Sequence, residues 1–210
     1  MPSGQIIRVT TGLLNTVNDS LPGQVVSSGT GASKYQGQLG QRIELGPDLV
    51  KFDSTIGTLL GGEYQYVRFA SGMTATPARG LLAFWDTSVA EDLYQVTMDE
   101  GGLTQGANLN AGVVLNVVTK GNYGFIQVQG RASVKFRAVL TGTAATGVPV
   151  FAAGAGAGAD VATADVLGTG ANPTFTQTVS QEARFLGIAE AIPVAGGISI
   201  VQLASLHKRY

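Results

Sequence analysis

The sequence predicts an all-β domain, a sandwich or a barrel, with an extended arm in front of it. Three observations predict this. Runs rich in Val, Ile, Phe and Tyr recur at spacings of roughly 8 to 15 residues, with Gly or Pro at every break. No stretch shows three turns of helical periodicity. The 210-residue chain carries 30 Gly but only 13% charged residues, against about 25% in an ordinary globular protein. A chain of this length suits one β-domain with extensions and buries roughly 70% of its unfolded surface, so it needs no covalent staples.

Residues 1–40 form the arm. Gly, Ser, Thr and Gln fill Gln24 to Leu39, and such a segment buries too little apolar surface to fold alone. It reads as an arm that orders against a neighbour; a disordered leader and an irregular docked edge are the alternatives. Its apolar side chains Ile6, Ile7, Leu13, Leu14, Val25, Val26 and Tyr35 are candidate interface residues.

The β-domain spans residues 41–210. Arg42 to Leu45 is a short strand ended by Gly46-Pro47. Tyr64 to Ala70 is a stronger one, with Tyr64, Tyr66 and Arg68 on one face and Gln65, Val67 and Phe69 on the other. Gly80 to Trp85 is a continuous apolar run, expected to be buried on both faces. Leu93 to Met98 follows, and an acidic turn begins at Asp99-Glu100. Val113 to Leu140 reads as a three-strand meander, turned at Lys120-Gly121-Asn122 and again at Gly130. Its last run, Val134 to Ala138, alternates apolar and polar side chains, the period of a strand with one wet face. Val148 to Phe151 begins another strand, where Val150 and Phe151 are further interface candidates. The Ala/Gly segment 152–165 reads as a loop. Arg184 to Ala189 and Ile198 to Leu203 are the closing strands, joined by a turn over Ile192 to Gly197.

Composition excludes several classes. A net charge of −1 offers no basic stripe for nucleic acid. No apolar run approaches the ~20 residues of a membrane span, and no basic start precedes an apolar core as in a signal peptide. The absence of cysteine removes disulfides and thiolate metal sites and suits assembly in a reducing cytoplasm. Without that signal, the sequon Asn18-Asp19-Ser20 is not read as glycosylated.

Chemistry-bearing patterns are sparse. Gly154, Gly156 and Ala159 satisfy a dinucleotide fingerprint, but Gly168, Gly170 and Pro173 break the helix that the pyrophosphate would need. His207 is the only histidine and stands three residues before the last one, so it makes a poor catalytic platform and no histidine-rich metal site. Glu91-Asp92 and Asp99-Glu100 are adjacent pairs, which a strand would point to opposite faces. Asp99 to Asn110 lacks the spacing of an EF-hand. Trp85, Phe84, Tyr64, Tyr66 and Tyr94 suit either a sugar-stacking platform or the core, and the apolar context favours the core. The residues therefore nominate no enzyme, cofactor or metal.

The segment Gly121-Asn122-Tyr123-Gly124-Phe125-Ile126-Gln127-Val128-Gln129-Gly130-Arg131-Ala132 resembles a hairpin of head decoration, or cement, proteins of tailed bacteriophages. Leu39-Gly40 with Gly62 to Val67 upstream, and Phe185 to Ala189 with Val201 to Leu203 downstream, are similar to that family's opening and closing strands. The resemblance implies a small β-sandwich or jelly-roll-like domain, often a homotrimer, that binds the outside of the major capsid protein shell and stabilises the head. The expected location is the virion's outer surface, after assembly in the host cytoplasm, with no nucleic-acid or membrane partner. The alternative is a head-fibre or adhesin-type module that binds glycan.

Overall fold

The computed structural model describes residues 39–45, 51–53, 57–59, 61–86, 94–99, 110–140, 142–152, 163–166 and 185–204. The arm, the Gly154 to Ala159 fingerprint and His207 lie outside them. Every described element is a strand: β1 (Arg42–Leu45), β2 (Lys51–Asp53), β3 (Gly57–Leu59), β4 (Gly62–Phe69), β5 (Leu82–Trp85), β6 (Gln95–Thr97), β7 (Asn110–Val114), β8 (Tyr123–Lys135), β9 (Pro149–Ala152), β10 (Ala164–Val166), β11 (Phe185–Ala189) and β12 (Ile198–Leu203). The all-β expectation holds. β2 and β3 form a ladder of their own, and the other ten strands form one sheet.

That sheet closes into a barrel. The order β4–β6–β5–β7–β8 returns on itself because β8 also pairs with β4, from Arg68↔Tyr123 to Gly62↔Gly130. Closure removes the free edges that an open sheet of short strands would present. Every pairing in the ring is antiparallel except β4 with β6. The interior is filled by Val67 and Phe69 of β4, Ala83 and Trp85 of β5, Val96 of β6, Ala111 and Val114 of β7, and Ile126 and Val128 of β8.

The second half of β8 serves another core. Its residues 130–135 pair with β12, and the sheet continues through β11 and β9 to β10. A parallel bridge between Phe136 and Ala164 brings β10 back to the end of β8. Ala132, Val134 and Phe136 pack there with Val150, Val166, Leu186 and Val201. Leu82 and Phe84 join them from the outside of the barrel. β5 is thus buried on both faces, as its unbroken apolar run predicts: even positions enter one core and odd positions the other. Asn110 of β7 also ties the halves together, its amide donating to the Phe185 carbonyl at 3.2 Å.

Three expectations are corrected. Gly130 does not turn the chain; β8 runs through it for 13 residues, so the meander is two strands rather than three. Gly130 has φ +91°, and a Cβ there would lie 2.5 Å from the Gly61 carbonyl oxygen. Only Gly allows both the positive φ and that close approach. The register against β4 slips at Glu63/Tyr64, opposite the unpaired Val128, so a bulge two residues before Gly130 helps to pass β8 from one core to the next. The buried Gln127 amide secures the bend by donating to the Arg131 carbonyl at 2.7 Å and the Gln129 carbonyl at 3.3 Å. The Gln127-Val128-Gln129-Gly130-Arg131-Ala132 stretch therefore has a physical role: amide cap, bend, and a small residue entering the second core. The Ala/Gly segment also holds more order than expected, since β10 lies within its last residues and beyond. The Val113 run is shorter than expected, because β7 begins at Asn110 and ends at Val114.

Candidate interaction surface

Strand parity defines the outward face of the second sheet. Opposite the core residues of β8, β12, β11 and β9 stand Arg131, Ser133 and Lys135, then Ile198, Ile200 and Gln202, then Ile188, then Pro149 and Phe151. Lys135 lies opposite Ile198, and Gln202 lies between Arg131 and Ile188. Arg131 forms an ion pair with Glu190 across this face. Phe151 and Phe185 pack edge to face, with ring centroids 5.5 Å apart.

The apolar exposure concentrates at one end. Among the described residues, six large hydrophobic side chains are exposed, and five of them lie on β11, β12, their connecting turn, or the segment beside that turn. They are Ile188, Ile192 (60% exposed), Val194 (55%), Ile198 and Val139 (73%); Val117 is the sixth. Scattered single residues of this kind are ordinary, whereas a cluster marks a surface that another surface covers.

The turn that carries Ile192 and Val194 is held from within. Ser199 is buried; its hydroxyl accepts from the Val194 N–H at 3.0 Å and donates to the Ile192 carbonyl at 3.2 Å. Pro193 is buried between the two exposed residues. The Gly196 N–H donates to the Arg137 carbonyl at 2.7 Å, and the Phe136 N–H to the Gly197 carbonyl at 2.9 Å, which fastens the turn to the end of β8. Ile192 and Val194 are therefore displayed by a preorganised loop, the arrangement that spares a binding surface its ordering cost.

The predicted interface residues divide three ways. Ile6, Ile7, Leu13, Leu14, Val25, Val26 and Tyr35 lie outside the described residues. Phe151 is half-buried on the outward face. Val150 points into the second core and is fully buried, so its side chain offers nothing to a partner. The sequence pattern places the turn at Ile192 to Gly197, and Ile192 and Val194 are not among the interface candidates it yields. The available signal was two β-branched apolar residues around a Pro, where turn chemistry favours polar side chains.

Among the described residues, the aromatic and acidic groups singled out above take part in packing and hydrogen bonding; Glu91, Asp92 and Glu100 lie outside the described residues. Trp85, Phe84, Tyr64 and Tyr66 are buried, so they form no exposed stacking platform. Tyr66 packs against Phe125 and Tyr123, and Tyr94 against the edge of Trp85. Burial pushes the Tyr64 phenol well above the ordinary tyrosine range. The buried Asp165 carboxylate accepts from Arg137 and from the Val166 N–H. Asp99 accepts from the Thr74 N–H at 2.9 Å. No group of three or more metal-ligating side chains comes together among the described residues.

Comparison with protein-family models, curated proteins and solved structures found no match to this chain.

Proposed function

We propose that this chain is a virion structural protein, a decoration protein that binds the outside of a tailed-phage capsid as a homotrimer and stabilises the head. The observation that carries the reading is the preorganised turn that displays Ile192 and Val194 beside Ile198 and Val139. An apolar, weakly charged surface on a rigid domain costs little desolvation when another protein covers it. The resemblance of the Gly121 to Ala132 stretch to cement proteins supplies the kind of partner: the major capsid protein and further copies of this chain. The finer architecture that goes with this reading is a sandwich or jelly-roll-like arrangement built on the closed sheet. Three linked copies multiply contacts that are individually weak, because each bound copy raises the effective concentration of the next.

The test mixes the purified protein with heads assembled without it and measures occupancy by co-sedimentation. Ile192→Asp with Val194→Asp is expected to weaken binding at least tenfold, while Val117→Asp, an equally exposed apolar position elsewhere, leaves it unchanged. Sedimentation equilibrium is expected to show a species near 64.5 kDa, three times the chain mass of 21.5 kDa. Equal occupancy for the double variant and the wild type, in folded protein, overturns the reading.

A further inference from the structure

The ten-strand sheet ends in an edge that fits a second copy of itself. β1 pairs with β4 on one side and with no described strand on the other. The Tyr66 N–H donates to the Gln41 carbonyl at 2.9 Å, which fixes the phase of this ladder. Antiparallel ladders alternate, so Ile43, opposite Tyr64, turns its own N–H and carbonyl toward β4. Arg42 and Glu44 turn theirs away from β4, toward the edge. Their side chains are exposed, whereas Ile43 between them is fully buried. The apolar side of β1 is thus packed within its own chain, and its outer edge offers backbone groups flanked by opposite charges.

We propose that β1 pairs with β1 of a second copy of this chain, antiparallel about a two-fold axis at Ile43. In that register Arg42 of each copy lies opposite Glu44 of the other. The outward N–H and carbonyl groups of Arg42 and Glu44 then bond each other across the axis and extend the sheet from one copy into the next. Charge selects this register. An axis at Arg42 or at Glu44 opposes like charges, and a slip of one residue sets the charged face against the buried one. The pairing also supplies what β4 withholds. Within the chain Glu44 stands directly across from Glu63, and Arg42 across from Gln65. Like charges directly opposite destabilise a strand pair, and the second copy brings an arginine to the other side of Glu44. Charged edge strands ordinarily keep other strands away; here the change of sign between Arg42 and Glu44 makes the edge self-complementary. A two-fold contact closes after two copies, so it joins separate assemblies and builds no threefold ring. It uses a different part of the molecule from the Ile192–Val194 turn and does not depend on it.

Charge reversal tests this by sedimentation equilibrium of the full chain at low salt, over a range of concentrations. The wild type is expected to approach twice the mass of whatever species prevails at the lowest concentration, and added salt weakens this doubling. Arg42→Glu alone and Glu44→Arg alone each place like charges opposite one another in a pair of identical copies. Each is expected to lower the association constant by about tenfold or more. Both side chains are exposed, so the variants should keep the wild-type circular dichroism. Mixed in equal amounts, the two variants oppose Glu to Arg at both positions, and association returns to the wild-type level. The double variant Arg42→Glu with Glu44→Arg associates with itself as the wild type does. A wild type that shows no doubling overturns the proposal. So does a mixture that associates no better than its separate components, or a single variant that associates as tightly as the wild type.

Discussion

Replacing Gly130 by Ala tests whether β8 is one bent strand that feeds two cores. Two penalties meet at this residue. Its φ of +91° is one that an L side chain rarely adopts, at a cost of about 1–2 kcal/mol. A Cβ would also stand 2.5 Å from the Gly61 oxygen and 2.6 Å from the Gly62 Cα, against about 3.5 Å for an unstrained carbon contact. Both neighbours are backbone, so relief requires moving β4, and overpacking of this kind costs about 1–3 kcal/mol. Gly130→Ala should therefore lose about 2–5 kcal/mol, with the two terms not strictly additive. Two other glycines separate them. Gly147 has φ +81° with nothing within 4 Å of a Cβ, so Gly147→Ala isolates the backbone penalty. At Gly112 a Cβ would stand 2.5 Å from the Gln127 oxygen, so Gly112→Ala isolates the steric one. Urea unfolding followed by far-UV circular dichroism gives all three values, provided that the denaturant slopes agree. If Gly130→Ala costs no more than Gly147→Ala, then Gly61 and Gly62 do not lie against β8, and the bend as described is wrong.

Two further perturbations probe buried polar groups. In Gln127→Glu, a carboxylate replaces an amide that donates to two carbonyls. Burial beside those oxygens raises its folded pKa, so the variant keeps its stability below the unfolded value of about 4.3 and loses it as pH rises above that. A loss of about 3 kcal/mol or more at pH 7 is expected, read as a urea midpoint that falls between pH 4 and 7 in the variant but not in wild type. Tyr64 gives the same sign in the alkaline range: burial raises its folded pKa, so its contribution is complete below the unfolded value of about 10 and is lost as pH climbs past it. Wild type should then destabilise more steeply than Tyr64→Phe between about pH 10 and 11, and parallel curves for the two proteins would contradict the burial.

Much of the strand list is legible in the sequence, because periodicity and turn residues are local signals. β1 and β12 fall where their apolar patterns place them, and the double burial of β5 follows from its unbroken Leu82 to Trp85 run. What stays hidden is set by partners. Gly130 reads as a break in either case, and only the approach of Gly61 and Gly62 decides between a strand that continues through it and a turn. β10 is invisible because Ala164, Asp165 and Val166 are ordinary loop residues until Arg137 and the second core receive them. The parallel pairing of β4 with β6, at Arg68↔Gln95, joins segments whose sequences say nothing about each other. The interaction surface is half legible. Alternation alone puts Val150 and Phe151 on opposite faces, so a single face of β9 cannot present both to a partner. The display of Ile192 and Val194 depends on a hydroxyl, Ser199, that belongs to the following strand.

The connection between the bend and the turn gives the fold its mechanical character. The Ile192–Val194 turn has no scaffold of its own; it is fastened to β12 through Ser199 and to the end of β8 through Gly196, Gly197, Phe136 and Arg137. β8 then runs through the Gly130 bend into the closed ring, where it pairs with β4 on one side and β7 on the other. A force on the turn along β8 thus acts on backbone hydrogen bonds in parallel rather than peeling one terminal strand, because both halves of the molecule share β8 and the two-faced β5. Loosening the turn alone would leave Phe136, Leu82 and Phe84 in the second core still holding the end of β8, and opening that core would require β5 to give up its outer face while its inner face stays packed in the barrel. The loop that displays Ile192 and Val194 is therefore anchored to the two cores behind it, which is the property that a clamp needs and that a loop held only at its ends lacks.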